Sequence, residues 1–152
     1  MTRELILTLE EVTRRTVEAL TGGPLEATAI AVSDPPGSEH LVATMDLAGE
    51  WLGQLVVAAA HPTAAHLAAA MLREAEEPEE QELRDALGEL ANVLAGNLRQ
   101  ALDPTGMLFE LSFPRVQLSS EAAPWSEQAE VTGLHLAGPT VAFHVYLLKE
   151  SW

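Results

Sequence analysis

One stretch of this chain, residues 79–102, restricts the possible folds more than any other. Read as an α-helix with about 3.6 residues per turn, it collects its large apolar side chains on one side. That apolar stripe consists of Leu83, Leu87, Leu90, Leu94 and Ala101, with Leu98 at its edge. A stripe of this length has to be buried, so the sequence predicts a long helix, from about Glu79 to Leu102, packed on a core.

The opposite side of this helix carries a polar row, Asp85, Glu89, Asn92 and Gly96, whose members lie about one turn apart. Glu89 and Asn92 are therefore predicted to point outward together, a carboxylate beside a carboxamide. Gly88 and Gly96 each cost about 1 kcal/mol relative to alanine inside a helix. Both glycines are predicted on or near the outward face, where the missing side chain would let another backbone approach closely.

The rest of the chain shows the periodicity of two further helices and six strands. A capping box at Thr8 and Glu11 predicts the start of the first helix, which ends near Leu20 before Gly22-Gly23-Pro24. The later elements are predicted as strands at 26–33, 40–47 and 51–59, a helix at 63–72 with Pro62 in its first turn, and, beyond the long helix, strands at 107–113, 129–136 and 141–149.

These elements predict one α+β domain that spans residues 1–152. Short connections between the first three strands predict that they are antiparallel neighbours. The second strand alternates, with Leu41, Ala43, Met45 and Leu47 on one face. We expect a mostly antiparallel sheet of about six strands, covered by helices, two of them central and adjacent in sequence.

The charge balance excludes some partners. The chain has 8 Lys and Arg against 23 Asp and Glu, a formal net charge of −15. Such a surface repels phosphate backbones and anionic lipid heads, so neither nucleic acid nor a membrane is an expected partner. The sequence has no Cys, no charged-then-apolar leader pattern and no apolar run of the roughly 20 residues that span a bilayer. We expect a cytoplasmic protein.

The histidines do not form a recognisable metal motif. His61 and His66 are five residues apart, which is wrong for one helical face, and His135 and His144 are a loose pair on two predicted strands. A metal site needs more ligands than such a pair supplies, so no metal is expected in this chain. Asn97 lies near the edge of the apolar stripe and is interpreted as a structural amide.

The segment 85–97, Asp-Ala-Leu-Gly-Glu-Leu-Ala-Asn-Val-Leu-Ala-Gly-Asn, resembles the active-site helix of the CheC/CheX/FliY phosphatases. Their pattern is Asp or Ser, three residues, Glu, two residues, Asn, and a proline about 22 residues later. Asp85, Glu89 and Asn92 match the helix, and Pro114 stands 22 residues after Asn92. The motif occurs once here, which favours CheX over CheC-like members that typically carry two copies.

The resemblance implies a phosphatase for the aspartyl-phosphate of a CheY-like response regulator in two-component signalling such as chemotaxis. Glu89 would pair with a receiver lysine and Asn92 would orient the attacking water, with Asp85, Gly96 and Pro114 in supporting positions. The Mg²⁺ would belong to the partner receiver, with no cofactor bound by this chain. The resemblance also implies a homodimer, because family members pair through their sheets.

Two other functions remain open at this stage. The same fold could dock on a receiver or a signalling assembly without hydrolysis, although the presence of both Glu89 and Asn92 argues against that. Alternatively, an acidic protein could block a basic partner through charge alone. Binding of that kind would collapse at moderate salt and ignore the partner's phosphorylation.

Overall fold

A seven-stranded antiparallel sheet and three α-helices make up the described part of the chain. The computed structural model describes residues 2–30, 39–73, 77–122, 125 and 129–151. The elements are α1 (Arg3–Thr21), β1 (Glu26–Ile30), β2 (Leu41–Gly49), β3 (Leu52–Ala59), α2 (His61–Leu72), α3 (Glu80–Leu102), β4 (Phe109–Leu111), β5 (Arg115–Leu118), β6 (Glu130–Ala137) and β7 (Ala142–Ser151). The predicted fold class, an antiparallel sheet covered by helices, is confirmed.

The strand order along the sheet is β1-β6-β7-β3-β2, and both β4 and β5 pair with the outer edge of β2. β2 and β3 are antiparallel neighbours, as predicted. The prediction that β1 also lies beside β2 is wrong, because β1 pairs with β6 near the other end of the chain. Strand pairing is decided by which edges meet in the folded sheet, and short spacing in sequence settles it only for tight hairpins.

The main core lies between the helices and one face of the sheet. Leu41, Ala43, Met45 and Leu47 of β2 all point into it, as the alternation predicted. The leucine stripe of α3 is buried there too, although it continues through Leu98 and Leu102 while Ala101 is exposed. From Leu94 onward the buried leucines follow a spacing of four, which keeps them on the inner face. A smaller apolar cluster lies on the opposite face, where the Trp125 and Tyr146 rings are 4.8 Å apart.

The helix boundaries follow from local capping. The helix α1 begins at Arg3, where the Thr2 hydroxyl accepts the Leu5 N–H at 3.2 Å. The predicted start at Thr8 is wrong, because that hydroxyl donates to the Glu4 carbonyl inside the helix. The end is confirmed, since Gly22 closes the helix with a φ of 75° that L side chains rarely adopt.

The long helix α3 runs as predicted, from Glu80 to Leu102. At its start the Glu82 carboxylate accepts the N–H of Glu79 at 3.1 Å. A short 3₁₀ turn, Asp103–Thr105, and Gly106 with a φ of 85° end it. The described residues do not include 74–76, in the acidic run just before this helix, or 31–33, at the end of the first predicted strand.

The strand predicted at 107–113 is shorter in the structure, because only Phe109–Leu111 pairs with β2. A strand that was not predicted, β5, follows Pro114 and raises the number of strands to seven. Proline lacks the N–H that a continuous ladder needs, so the chain leaves β2 at this point and rejoins it as β5. In the described residues, no helix is both long enough and apolar enough to cross a membrane.

Candidate functional site

The polar row of α3 lies where the periodicity placed it. Asp85, Glu89 and Asn92 are exposed on the side of the helix that faces away from the buried leucines, and Gly96 is half-buried. The Asp85 carboxylate accepts a hydrogen bond from the Gln81 amide at 2.8 Å on the helix surface. Within the described part of the chain, no side chain hydrogen-bonds to the side chain of Glu89 or Asn92. Both groups are therefore available to a partner.

Pro114, the distant member of the motif, lies directly beside this row. A Cβ added at Gly88 would be 3.6 Å from the Pro114 Cγ and 3.2 Å from the Val116 Cγ2. The prediction that Gly88 lies on the outward face is therefore wrong. It is buried against the protein's own segment 114–116, and its missing side chain lets α3 pack close to β5.

Gly96 differs from Gly88, because no neighbouring group in the described part of the chain requires a residue without a side chain at this position. A Cβ built at Gly96 meets nothing within 4 Å. The residue borders an open cleft that is also lined by Arg99, Leu108 and Phe109. Of the two helix glycines, Gly96 alone leaves open space toward solvent, as the docking interpretation required.

The segment that carries Pro114 is fastened to β2 through Asp46. The Ser112 hydroxyl accepts the Asp46 N–H at 2.8 Å, and the Ser112 N–H donates to the Asp46 carbonyl at 3.1 Å. The Asp46 carboxylate accepts two hydrogen bonds from the Arg115 guanidinium, at 2.7 and 3.2 Å, and one from the Gln54 amide at 3.1 Å. Together these bonds hold the backbone on both sides of Pro114.

The Arg115 hydrogen bonds hold the pKa of the Asp46 carboxyl below its ordinary value, although partial burial opposes them. Neither Asp46 nor Arg115 was predicted as a site residue. In the alternating pattern of β2, Asp46 occupies an ordinary polar position, and its partner is 69 residues away in sequence. Only the pairing of β2 with β5 brings the two side chains together.

A second set of polar contacts fixes the start of α3. The Arg84 guanidinium donates to the Val116 carbonyl at 3.5 Å and lies 3.4 Å from the Glu80 carboxylate. His61, at the start of α2, lies 3.3 Å from the same carboxylate. These contacts were not predicted, and they connect the site helix to β5 on one side and to α2 on the other.

The structure also shows the surroundings of Asn97 and of the two histidines His135 and His144. The Asn97 amide donates to the Thr16 hydroxyl at 3.0 Å and so links α3 to α1, which confirms its interpretation as a structural amide. His135 and His144 are direct cross-strand partners with ring centroids 5.0 Å apart. Among the described residues, no three His, Asp or Glu side chains are grouped as metal ligands.

Comparisons with solved structures show a shared fold at low identity. A CheX from Desulfovibrio desulfuricans is 20% identical, with a TM-score of 0.80 over 96% of this chain and 99% of that one. A putative chemotaxis protein from Desulfovibrio vulgaris Hildenborough is 19% identical, with a TM-score of 0.81 over 96% of this chain and 97% of that one. The CheX of a CheX–CheY–BeF3–Mg²⁺ complex from Borrelia burgdorferi is 14% identical, with a TM-score of 0.74 over 95% and 96%.

Sequence comparison identifies the family. No curated protein sequence matches the chain. The family model described as "Chemotaxis phosphatase CheX" matches residues 41–135, well over half of the chain. The matched region contains all of α3 and the segment that carries Pro114. This chain belongs to the CheX family of chemotaxis phosphatases.

Proposed function

We propose that this protein hydrolyses the aspartyl-phosphate of a CheY-like response regulator, and that the outward row of α3 enters the receiver's phosphorylation site. The observation that carries the proposal is that Glu89 and Asn92 project together from one face of α3. Both are exposed on one face of a helix whose other face is buried, and Pro114 of the same motif packs beside them. Membership of the CheX family supports the reaction, and a CheX homologue has been crystallised with CheY.

In this proposal Glu89 acts in binding. Its carboxylate projects from the middle of α3, and its neighbours in the outward row include a second acid, Asp85. An exposed carboxylate on an acidic face is complementary to a lysine ammonium of the receiver. The ion pair would form as the two proteins dock and would orient the receiver on the helix.

Asn92 acts in the hydrolytic step itself. Its amide both donates and accepts hydrogen bonds, so it can hold a water in line with the phosphorus without adding negative charge beside the phosphoryl group. The water oxygen bonds to phosphorus, the bond from phosphorus to the aspartyl oxygen breaks, and inorganic phosphate leaves from the restored carboxylate. Positioning of this kind supplies much of the catalysis in phosphoryl transfer.

The surrounding structure holds the helix backbone from which these two side chains project. The leucines on the inner side of α3 are almost fully buried, so the helix is held firmly in the core. Pro114 supports the helix at Gly88, and Gly96 leaves room for the receiver backbone one turn beyond Asn92. The Mg²⁺ belongs to the receiver, and this chain is proposed to bind no cofactor of its own.

The test is to phosphorylate candidate receivers from the same genome and follow phosphate loss with and without this protein. We expect the wild type to accelerate the loss well beyond the receiver's own hydrolysis and Asn92→Ala to remove most of that acceleration. Asn97→Ala is the matched control, because it deletes the same amide from the same helix on the side that faces α1. If Asn92→Ala kept the wild-type rate, a docking module without hydrolysis would be the better interpretation.

A further inference from the structure

Three exposed apolar residues lie on α3 or on the segment that lies beside it at Gly88 and Gly96. Phe113 is 91% exposed, Leu108 is 63% exposed and Val93 is 37% exposed. Phe113 and Leu108 are the two most exposed large apolar residues in the described part of the chain. Single exposed apolar residues need no explanation, but a group of them beside a candidate site marks an interaction surface.

The two most exposed residues lie at opposite ends of one segment, 108–113, that runs alongside α3. Leu108 borders the cleft at Gly96, whereas Phe113 directly precedes Pro114, which packs on Gly88. The segment therefore runs in the direction opposite to the helix. Gly88 and Gly96 are eight residues apart, about 12 Å along the helix axis. Asn92 lies midway between them, with Leu108 in the cleft at one end and the residue after Phe113 packed on the helix at the other.

The exposure of Phe113 is imposed by its neighbours. On one side, Ser112 makes two hydrogen bonds to the backbone of Asp46. On the other side, Pro114 packs on α3 and Arg115 is held by the Asp46 carboxylate. With both flanking residues fastened, the Phe113 ring is presented to solvent by a held backbone, so little backbone ordering entropy remains to be lost when it is covered.

We infer that Phe113 and Leu108 are the apolar anchors by which this protein docks on the phosphorylated receiver, one near Gly88 and one near Gly96. The inference rests on the proposed function. A protein that brings its phosphoryl group to Asn92 has to cover residues within several ångströms of it, and a typical interface buries about 800 Å² on each partner. Glu89 lies between the anchors and Asp85 lies just beyond Gly88, and these two acids give that surface the charge that matches a lysine-bearing site.

Rigid aromatic residues in such positions dominate the binding energy of many interfaces, and the polar groups between them set orientation. Phe113 and Leu108 are therefore expected to govern affinity, while Asn92 governs the rate of the bound complex. This division gives the anchors a kinetic signature that differs from that of the catalytic residue.

The experiment measures binding and hydrolysis separately. Binding is titrated with a receiver activated by beryllofluoride and Mg²⁺, which cannot be hydrolysed, and hydrolysis is followed with the phosphorylated receiver. We expect Phe113→Ala to weaken binding at least about tenfold and Leu108→Ala about threefold, with the rate at saturating receiver within about twofold of wild type. Phe113→Leu should recover part of the affinity. The control is Leu7→Ala, which truncates a 51% exposed leucine on α1.

Two outcomes overturn the inference. One is unchanged affinity in the Phe113→Ala, Leu108→Ala double variant, and the other is an equal loss in Leu7→Ala. These results are distinguishable from failure of the proposed function. If the wild type binds the activated receiver and Phe113→Ala does not, but no phosphate is released, the inference about the anchors is supported and the proposed phosphatase activity is contradicted.

Discussion

Pro114 packs on the backbone of α3 at Gly88, the residue immediately before Glu89. The spacing between the helix motif and a proline 22 residues after Asn92 therefore corresponds to a physical contact. The proline braces the helix at the point where the proposed binding residue projects. The two helix glycines thus have separate purposes, since Gly88 serves this internal contact and Gly96 leaves its surface open.

The first prediction compares these two glycines. Gly88→Val should destabilise the protein by about 1–3 kcal/mol, because its side chain has to displace Val116 and Pro114. Gly96→Ala should stabilise it by up to about 1 kcal/mol, because alanine favours the helix and meets no neighbour. Urea denaturation of both variants measures the difference in unfolding free energy. Equal effects at the two positions would contradict the packing described here.

The second prediction concerns docking at Gly96. Gly96→Leu should fold normally but lose most phosphatase activity, because its side chain occupies the open space beside Asn92. Gly96→Ala is the control, since it adds only a methyl group and should retain more activity. Circular dichroism checks the fold and phosphate release checks the function. Full activity of Gly96→Leu would show that no partner approaches closely at this position.

The third prediction separates the roles of the two site residues. Asn92→Ala should lower the maximal rate with little change in affinity, because its proposed contact is made in the transition state. Glu89→Ala should mainly weaken binding, because its proposed ion pair forms in the docked ground state. Both residues are exposed, so the unfolding free energy should change by less than about 0.5 kcal/mol. Steady-state kinetics and a binding titration against the beryllofluoride-activated receiver distinguish the two patterns.

The fourth prediction is that the ionised carboxylate of Asp46 stabilises the folded protein. Its pKa is lowered in the folded protein, chiefly by the hydrogen bonds from Arg115, so the folded state binds a proton less readily than the unfolded state. The resulting stability is present above the unfolded pKa of about 4 and is lost as the pH falls through the folded pKa. Because both side chains are about half exposed, the ion pair contributes only about 0.2–1 kcal/mol.

Asp46→Asn should therefore flatten the acid side of the stability curve, measured by urea denaturation between about pH 7 and pH 3. Arg115→Gln should have the same effect, and the double variant should lose little more than either single variant, because both remove one interaction. An unchanged acid dependence in Asp46→Asn would show that other carboxylates account for it.

The fifth prediction is the homodimer. β1 ends the sheet and pairs only with β6 among the described residues, which leaves an edge that a second copy could extend. Light scattering at micromolar concentration should give a mass of about twice the chain's 16.3 kDa. A mass of one chain would contradict the prediction. Proline substitution at Thr28, in the middle of β1, tests whether this edge forms the contact.

The sequence by itself determined the features that depend on local periodicity. A helix turns about 100° per residue whatever surrounds it, so the buried leucines of α3 and the outward placement of Glu89 and Asn92 were predictable from spacing alone. The alternation of β2 and the glycine stop after α1 follow from equally local rules. The family resemblance rested on the same helix, and the match to the CheX family confirmed it.

The tertiary structure decided which distant segments meet. The pairing of β1 with β6, the contact of Gly88 with Pro114 and the bond between Asp46 and Arg115 each join residues that are far apart in sequence. None of them leaves a local signal, because an Asp in a strand or a Gly in a helix looks the same with or without its partner. Phe113 shows most clearly what local sequence patterns cannot predict. The strand predicted at 107–113 includes it, whereas in the structure the strand ends at Leu111, and Phe113, between the fastened Ser112 and Pro114, is exposed to solvent.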